Sequence, residues 1–240
     1  MPESYLALWL EAPLQSWGFD SKFYRRDTLD FPTRSGVLGL LCCAMGAGGP
    51  QTQWLSQMAQ FKQTVLVYGR EGQAGQSKLE DFHMVGSGYD EKNPWEFLLI
   101  PKTVERKKAQ NSPGTKMTYR YYLQDRAFGV VLAASAEQAV VLAKALQNPV
   151  WDLYLGRKSC VPTDIIYRGT FADEIQASAT LNEIARSKGL AKHSEVMDGK
   201  YPDQGDVIVL NDVPVSFGQR KIYTQRYVTI VPCEEVASES

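Results

Sequence analysis

The succession of apolar segments predicts an α+β fold, with a ferredoxin-like, RRM-type domain over residues 1–158 and a small mixed, strand-rich part over 159–240. Three observations carry this expectation. Strand-like and helix-like patterns follow one another as β, α, β, then β, α, β, the order of a split βαβ unit. Between the two halves, residues 71–118 lose the core pattern and become rich in Gly, Pro, Ser and charge, as a long functional or disordered insertion does. The chain of 240 residues, 44% apolar and 22% charged, is long enough to bury a proper core.

The elements follow in order. YLALWLEA (5–12) is continuously apolar and aromatic, as a buried strand is, and PLQSWG closes it with turn residues. A polar loop with Lys22, Arg25, Arg26 and Arg34 leads to TRSGVLGLLCCAMG, where Thr33 or Ser35 can cap a helix and Gly46 or Gly48 can end it. Gly36 and Gly39 would let that helix pack closely. TQWLSQMAQF (52–61) reads as a short helix and TVLVYG (64–69) as the next strand. After the insertion, MTYRYYLQDRAFGVVLAA (117–134) predicts a long strand whose second half is apolar throughout. Ser135 and Gln138 make a capping box for a helix over 136–147, with Ala139, Leu142, Ala143 and Leu146 on one face. VWDLYLG (150–156) is expected as the last strand of this set. Beyond it, YRGTF, a helix near 173–189, and strands at DVIVL, VPVSF and YVTIVP complete the C-terminal part.

Several chemistries are disfavoured by pattern. GRKS (156–159) lacks the upstream glycine of a phosphate-binding G-x-x-x-x-G-K-[ST] loop, and GSG (86–88) has the wrong spacing for a serine-hydrolase elbow. Two isolated histidines and four scattered cysteines do not assemble a zinc site, so no metal and no cofactor are expected. The cysteines Cys42, Cys43, Cys160 and Cys233 show neither C-x-x-C spacing nor a disulfide framework, which fits a reducing cytoplasm. The N-terminal MPESYLALWLEAP has no basic n-region, and the apolar run 37–47 is too short to span a bilayer; no membrane role is expected. His83, in LEDFHMVGSG, is the one group suited to acid–base work near neutral pH, but only Lys78 and Tyr89 are near it in sequence; a structural or RNA-contacting histidine is the alternative.

Charge distribution is more informative. The net charge of −1 gives no global attraction to nucleic acid, so any such binding must be local. Residues 101–126 hold Lys102, Arg106, Lys107, Lys108, Lys116, Arg120 and Arg126 against Glu105 and Asp125. TYRYY (118–122) mixes Tyr119 and its neighbouring tyrosines with Arg120, the combination in which bases stack and phosphates are neutralised. In YLGRKSCVPT (154–163), Gly156 would permit a close backbone approach and a left-handed turn, with Arg157 and Lys158 adding charge. A solvated turn is the alternative there. With the RRM-like order, the basic loop at 22–34, the insertion and the GRKS turn can converge on one strand of RNA.

Four motifs, PLQSWG (13–18), FPTRSGVLGLLCCAMG (31–46), DFHMVGSG (81–88) and YLGRKSCVPT (154–163), in this order and spacing, resemble the CasD subunits of type I-E CRISPR Cascade complexes. The resemblance spans residues 5 to about 170 and is looser beyond. It implies a repeat-associated RRM-like fold, a β-hairpin thumb at about 79–117 and a glycine-rich loop at Gly156 through Cys160. It further implies a subunit that holds the 5′ handle of the CRISPR RNA, beside the backbone and large subunits of the complex and only indirectly in contact with target DNA. Type I-C relatives cut precursor RNA with a Tyr, Lys and His set; no Lys–His pair is seen here, which favours a non-catalytic role. The expected RNA contacts are Arg25, Arg26, Arg34, Ser35, His83, Arg106, Lys107, Lys108, Lys116, Tyr119, Arg120, Gly156, Arg157 and Lys158. A metal-independent endoribonuclease acting on repeat RNA is the alternative, and a phosphate-binding small-molecule enzyme using the GRKS turn is a third reading.

Overall fold

The computed structural model describes residues 3–18, 21, 24–70, 78–85 and 116–233. Nine strands and four helices occur among them. The strands are β1 (Glu3–Gln15), β2 (Arg25–Arg26), β3 (Gln63–Gly69), β4 (Leu79–Val85), β5 (Lys116–Ser135), β6 (Tyr167–Phe171), β7 (Ala191–Asp198), β8 (Asp206–Ser216) and β9 (Ile222–Pro232). The helices are α1 (Arg34–Met45), α2 (Thr52–Met58), α3 (Ala136–Gln147) and α4 (Glu174–Ser187).

One large antiparallel sheet runs in the order β6-β1-β5-β3-β7-β9-β8, with β2 and β4 joined to the distal part of β5. Its central strands are apolar on both faces because helices cover both. Leu6, Leu8 and Leu10 of β1 and Phe128, Val130 and Leu132 of β5 face Val37, Leu38 and Leu41 of α1 and Leu142 of α3. The alternate residues Ala7, Trp9, Ala127 and Val131 meet Ala177, Leu181 and Ala185 of α4. This double covering is why the strands read as unbroken apolar runs rather than as period-two patterns.

Local signals agree with the caps. Thr33 Oγ1 accepts from the Gly36 N–H, Ser135 Oγ accepts from the Gln138 N–H, and Gly46 ends α1 in the left-handed region at φ +67°. Gly36 is packed as expected, since a β-carbon there would lie 2.7 Å from Trp17. Gly39 is not: a β-carbon there would meet nothing within 4 Å among the described residues.

The sequence expectation fails at 150–156, which forms no strand. Val150 and Trp151 point largely to solvent, Leu155 alone is fully buried, and the backbone closes turn bonds instead of a ladder. YRGTF takes the edge position as β6, antiparallel to β1 through Tyr5↔Phe171 and Ala7↔Gly169. The 158/159 boundary thus falls in the connection between α3 and β6, and the strands after it extend the same sheet. β7, whose sequence AKHSEVMD shows no strand pattern, links β3 to the C-terminal hairpin β8–β9.

β5 serves two structures in turn. From Leu123 to Ser135 it pairs with β1, and the register skips only at Asp125, a non-glycine residue at φ +47°, opposite Pro13. Its first seven residues then form a ladder with β4, from Leu79↔Tyr122 to Val85↔Lys116. These are the flanks of the expected hairpin insertion; residues 86–115 lie outside the described part.

Candidate nucleic-acid interface

The loop after α3 is bound to the end of β1. Ser16 N–H donates to Leu155 O at 3.1 Å, and Leu155 N–H donates to Cys160 O at 2.8 Å. Between them Gly156 sits at φ +98°, where an added β-carbon would lie 1.7 Å from the Ser16 carbonyl oxygen. A backbone atom cannot swing aside, so the position requires glycine. The space a side chain would need there is taken by the chain's own carbonyl.

Arg157 is held rather than waving in solvent. Its Nη2 donates to Arg26 O at 2.8 Å, and its guanidinium lies 4.4 Å from the centre of the Tyr122 ring. Its Nη1 is buried and has no partner among the described residues. A buried donor without an acceptor is costly, and an incoming anion or carbonyl would satisfy it.

These residues border a groove of about 1350 Å³. One set of lining residues comes from β2, β5 and the 156–159 loop: Arg26, Arg120, Tyr122, Arg157 and Lys158. A second set comes from β8, β9 and their connection: Asn211, Lys221, Tyr223 and Gln225, with Ser16 and Ser35 between. Among the described residues five cations therefore face two acids, and both acids are engaged. Asp212 accepts from Arg226 Nε at 2.7 Å and from the Arg34 N–H at 2.7 Å, and Asp27 lies 3.4 Å from Arg25. The groove keeps a positive potential in a protein whose net charge is −1. Tyr223 is partly buried, and that burial raises its phenol pKa, so the ring presents a neutral hydroxyl.

The expected site residues divide four ways. Arg26, Ser35, Arg120, Gly156, Arg157 and Lys158 line the groove. His83 belongs to the same side by register: Asp81 pairs Arg120 and His83 pairs Thr118, and alternate residues share a face. Arg25 and Tyr119 lie on the other side of the ladder, where Arg25 sits 4.6 Å from the Tyr121 ring centre and Tyr119 packs on Phe82 at 5.4 Å. The period of two thus separates Tyr119 from Arg120, which the sequence had placed together.

Arg34 is a correction. Its side chain is 3% exposed, donating from Nη1 to Asp198 at 2.8 Å and from Nη2 to the carbonyls of Met58 and Phe61. Burial lowers its pKa against the raising influence of Asp198. Arg226 binds both Asp198 and Asp212, so two arginines and two aspartates tie α1 to β7, β8 and β9. Arg106, Lys107 and Lys108 lie outside the described residues, and of Lys116 only the backbone pairing with Val85 is described.

Sequence reasoning missed Asn211, Lys221, Tyr223 and Gln225. The cue was present in GQRK (218–221), a charged turn between two strand-like runs, but nothing in a linear reading brings it beside residue 157.

The comparisons agree with one another. The chain is 32% identical over 189 residues to the CRISPR system Cascade subunit CasD of Escherichia coli (strain K12), covering 75% of this chain and 76% of that one. A solved chain from a CRISPR RNA-guided surveillance complex superposes with a TM-score of 0.68 at 29% identity, covering 95% of this chain and 89% of that one. A crystal structure of a Cas protein gives a TM-score of 0.59 at 25% identity, over 95% of both chains. The family model described as CRISPR-associated protein (Cas_Cas5) matches residues 5–229. With nearly the whole described fold inside that match, the chain belongs to the CRISPR-associated Cas5 family.

Proposed function

We propose that this protein is a non-catalytic, single-stranded-RNA-holding subunit of a type I-E CRISPR Cascade complex, seating the 5′ handle of the CRISPR RNA in the basic groove. The observation that carries the reading is the groove itself, where, among the described residues, five cations and two tyrosines from separate elements converge and one guanidinium donor has no partner. Cations that track a backbone beside rings that receive bases are what a single strand needs. The order β6-β1-β5-β3, with α1 and α3 on one face, supports an RRM-type reading of the central part. RNA would not lie across this sheet as in a common RRM, because α4 covers the second face. The strand would instead pass beside the sheet, along the distal β5 ladder and the 156–159 loop. Membership of the family and the likeness to a Cascade subunit support the biological setting, including backbone and large subunits as partners.

Among the described residues, those brought together in the groove do not pair a general acid with a general base: their titratable side chains are arginines, lysines, aspartates already engaged, and tyrosines. His83 stands on the groove side by register, and its Nδ1 has no partner among the described residues. It would serve as a base or phosphate contact. The test is co-purification with RNA from a CRISPR-bearing host and sequencing of the bound 5′ ends. A short common 5′ sequence is expected. Random ends would overturn the handle assignment, and metal-free cleavage of repeat RNA that His83→Ala abolishes would overturn the non-catalytic one.

A further inference from the structure

A second concavity, of about 520 Å³, opens off the groove beside α1. Ser16, Gly18, Ser35, Gly156, Lys221 and Tyr223 line both spaces, so the two are continuous. We propose that this side cleft receives one unstacked base of the RNA strand whose backbone lies in the groove. The inference rests on the RNA-holding reading above and names what the strand does there.

The size fits. Pockets for small molecules and cofactors run from about 300 to 1000 Å³. The chemistry differs from that of the groove: among the described residues lining the cleft only Lys221 is charged, and it stands where the two spaces meet. Phosphates would stay in the groove, where the cations are, and a neutral ring would turn into the cleft. Tyr154, Phe217 and Tyr223 supply aromatic surface against which a base can stack, and Ser35 and the tyrosine hydroxyls supply polar contacts.

The helix wall points the same way. Gly36 is explained by Trp17, but Gly39 sits inside α1 and has no packing reason, with nothing within 4 Å of its would-be β-carbon among the described residues. A glycine in a helix interior is destabilising relative to alanine, and its use where no neighbour demands it leaves bare backbone facing the cleft. A planar ligand can approach that wall more closely than any side chain would permit.

The test uses the full chain and the RNA recovered with it, resynthesised with a single abasic site at each position in turn. One position is expected to lower affinity about tenfold or more, the scale of one lost base stack. Gly39→Leu, which fills the cleft, should lower affinity for the intact RNA by a similar factor without changing the salt dependence. The two losses should not add, because both remove the same contact. Tyr154→Ala gives the same comparison if Gly39→Leu melts early. A flat abasic scan, or losses that add in full, would overturn the proposal. So would a cleft that binds AMP or UMP, with Gly39→Leu abolishing that binding but sparing RNA, since it would assign the space to a free nucleotide. Failure of the wild-type chain to bind any RNA would instead strike at the RNA-holding reading, which the intact-RNA control reports separately.

Discussion

At the scale of single residues, the structure separates cations that hold the fold from cations that face outward. Arg34 belongs to the first kind. Its donors go to Asp198 and to two backbone carbonyls in an environment 3% exposed. Removing one partner of such a cluster leaves the others buried and unpaired, at a cost of about 3–5 kcal/mol. Arg34→Ala should therefore lower the melting temperature by roughly 10 °C. At temperatures where the variant is folded, the salt dependence of its RNA binding should match the wild type. Thermal unfolding together with binding titrations checks this, and a flattened salt slope with unchanged melting would return Arg34 to the groove. Gly156 teaches the same lesson differently: its motif looked like a ligand loop, yet the atom that demands glycine is Ser16 O.

At the scale of elements, α1 shows how one helix can carry two opposed constraints. Gly36 turns toward Trp17, which is 1% exposed and fixed by bonds to Thr28 and Gln15. The ring has nowhere to go, so Gly36→Ala should destabilise by about 1–3 kcal/mol through overpacking. Gly39 faces the open cleft, and Gly39→Ala should stabilise by about 0.5–1 kcal/mol by restoring ordinary helix propensity. The two substitutions are chemically identical and three residues apart. Chemical denaturation of both variants should therefore give shifts of opposite sign, and equal signs would show that the cleft wall is not open. The β4–β5 ladder divides function in a similar way, with Arg120 and Tyr122 toward the groove and Met117, Tyr119 and Tyr121 away from it.

At the scale of the whole molecule, the groove exists because the sheet continues past β3 through β7 and β9 to β8, bringing the C-terminal hairpin to the loop after α3. The Arg34–Asp198–Arg226–Asp212 cluster fastens that arrangement from inside. If both sets of lining residues grip one strand, Lys158 and Lys221 each neutralise a phosphate of the same RNA. Each then contributes about 0.7 to the slope of log affinity against log salt. Lys158→Ala with Lys221→Ala should flatten that slope by about 1.4, and each single change by about half as much. Affinities at several salt concentrations test it. A change from Lys158 alone would place the strand on one set of residues only.

The sequence by itself determined the elements whose causes are local. Thr33 and Ser135 cap α1 and α3 through their own side chains, Gly46 ends α1, and the apolar runs of β1, β3 and β5 announce strands buried on both faces. It also named Arg26, Ser35, Arg120, Arg157 and Lys158 among the RNA-contact candidates, and these five line the groove; the four cations stood out because charge beside glycine and tyrosine is visible in a linear string. The tertiary structure decided the rest. Residues 150–156 carry strand-like composition, but the edge of β1 is occupied by β6, so they find no ladder to join. β7 has no apolar signature and is a strand only because β3 and β9 supply its hydrogen bonds on either side. Whether a cation faces the groove or the core is likewise invisible in sequence: Arg34 and Arg157 both sit near glycines and serines, and only the placement of Asp198 from far along the chain draws one inward. Local propensity is set by neighbours in the chain, whereas burial and charge pairing are set by neighbours in space, and those exist only once the chain has folded.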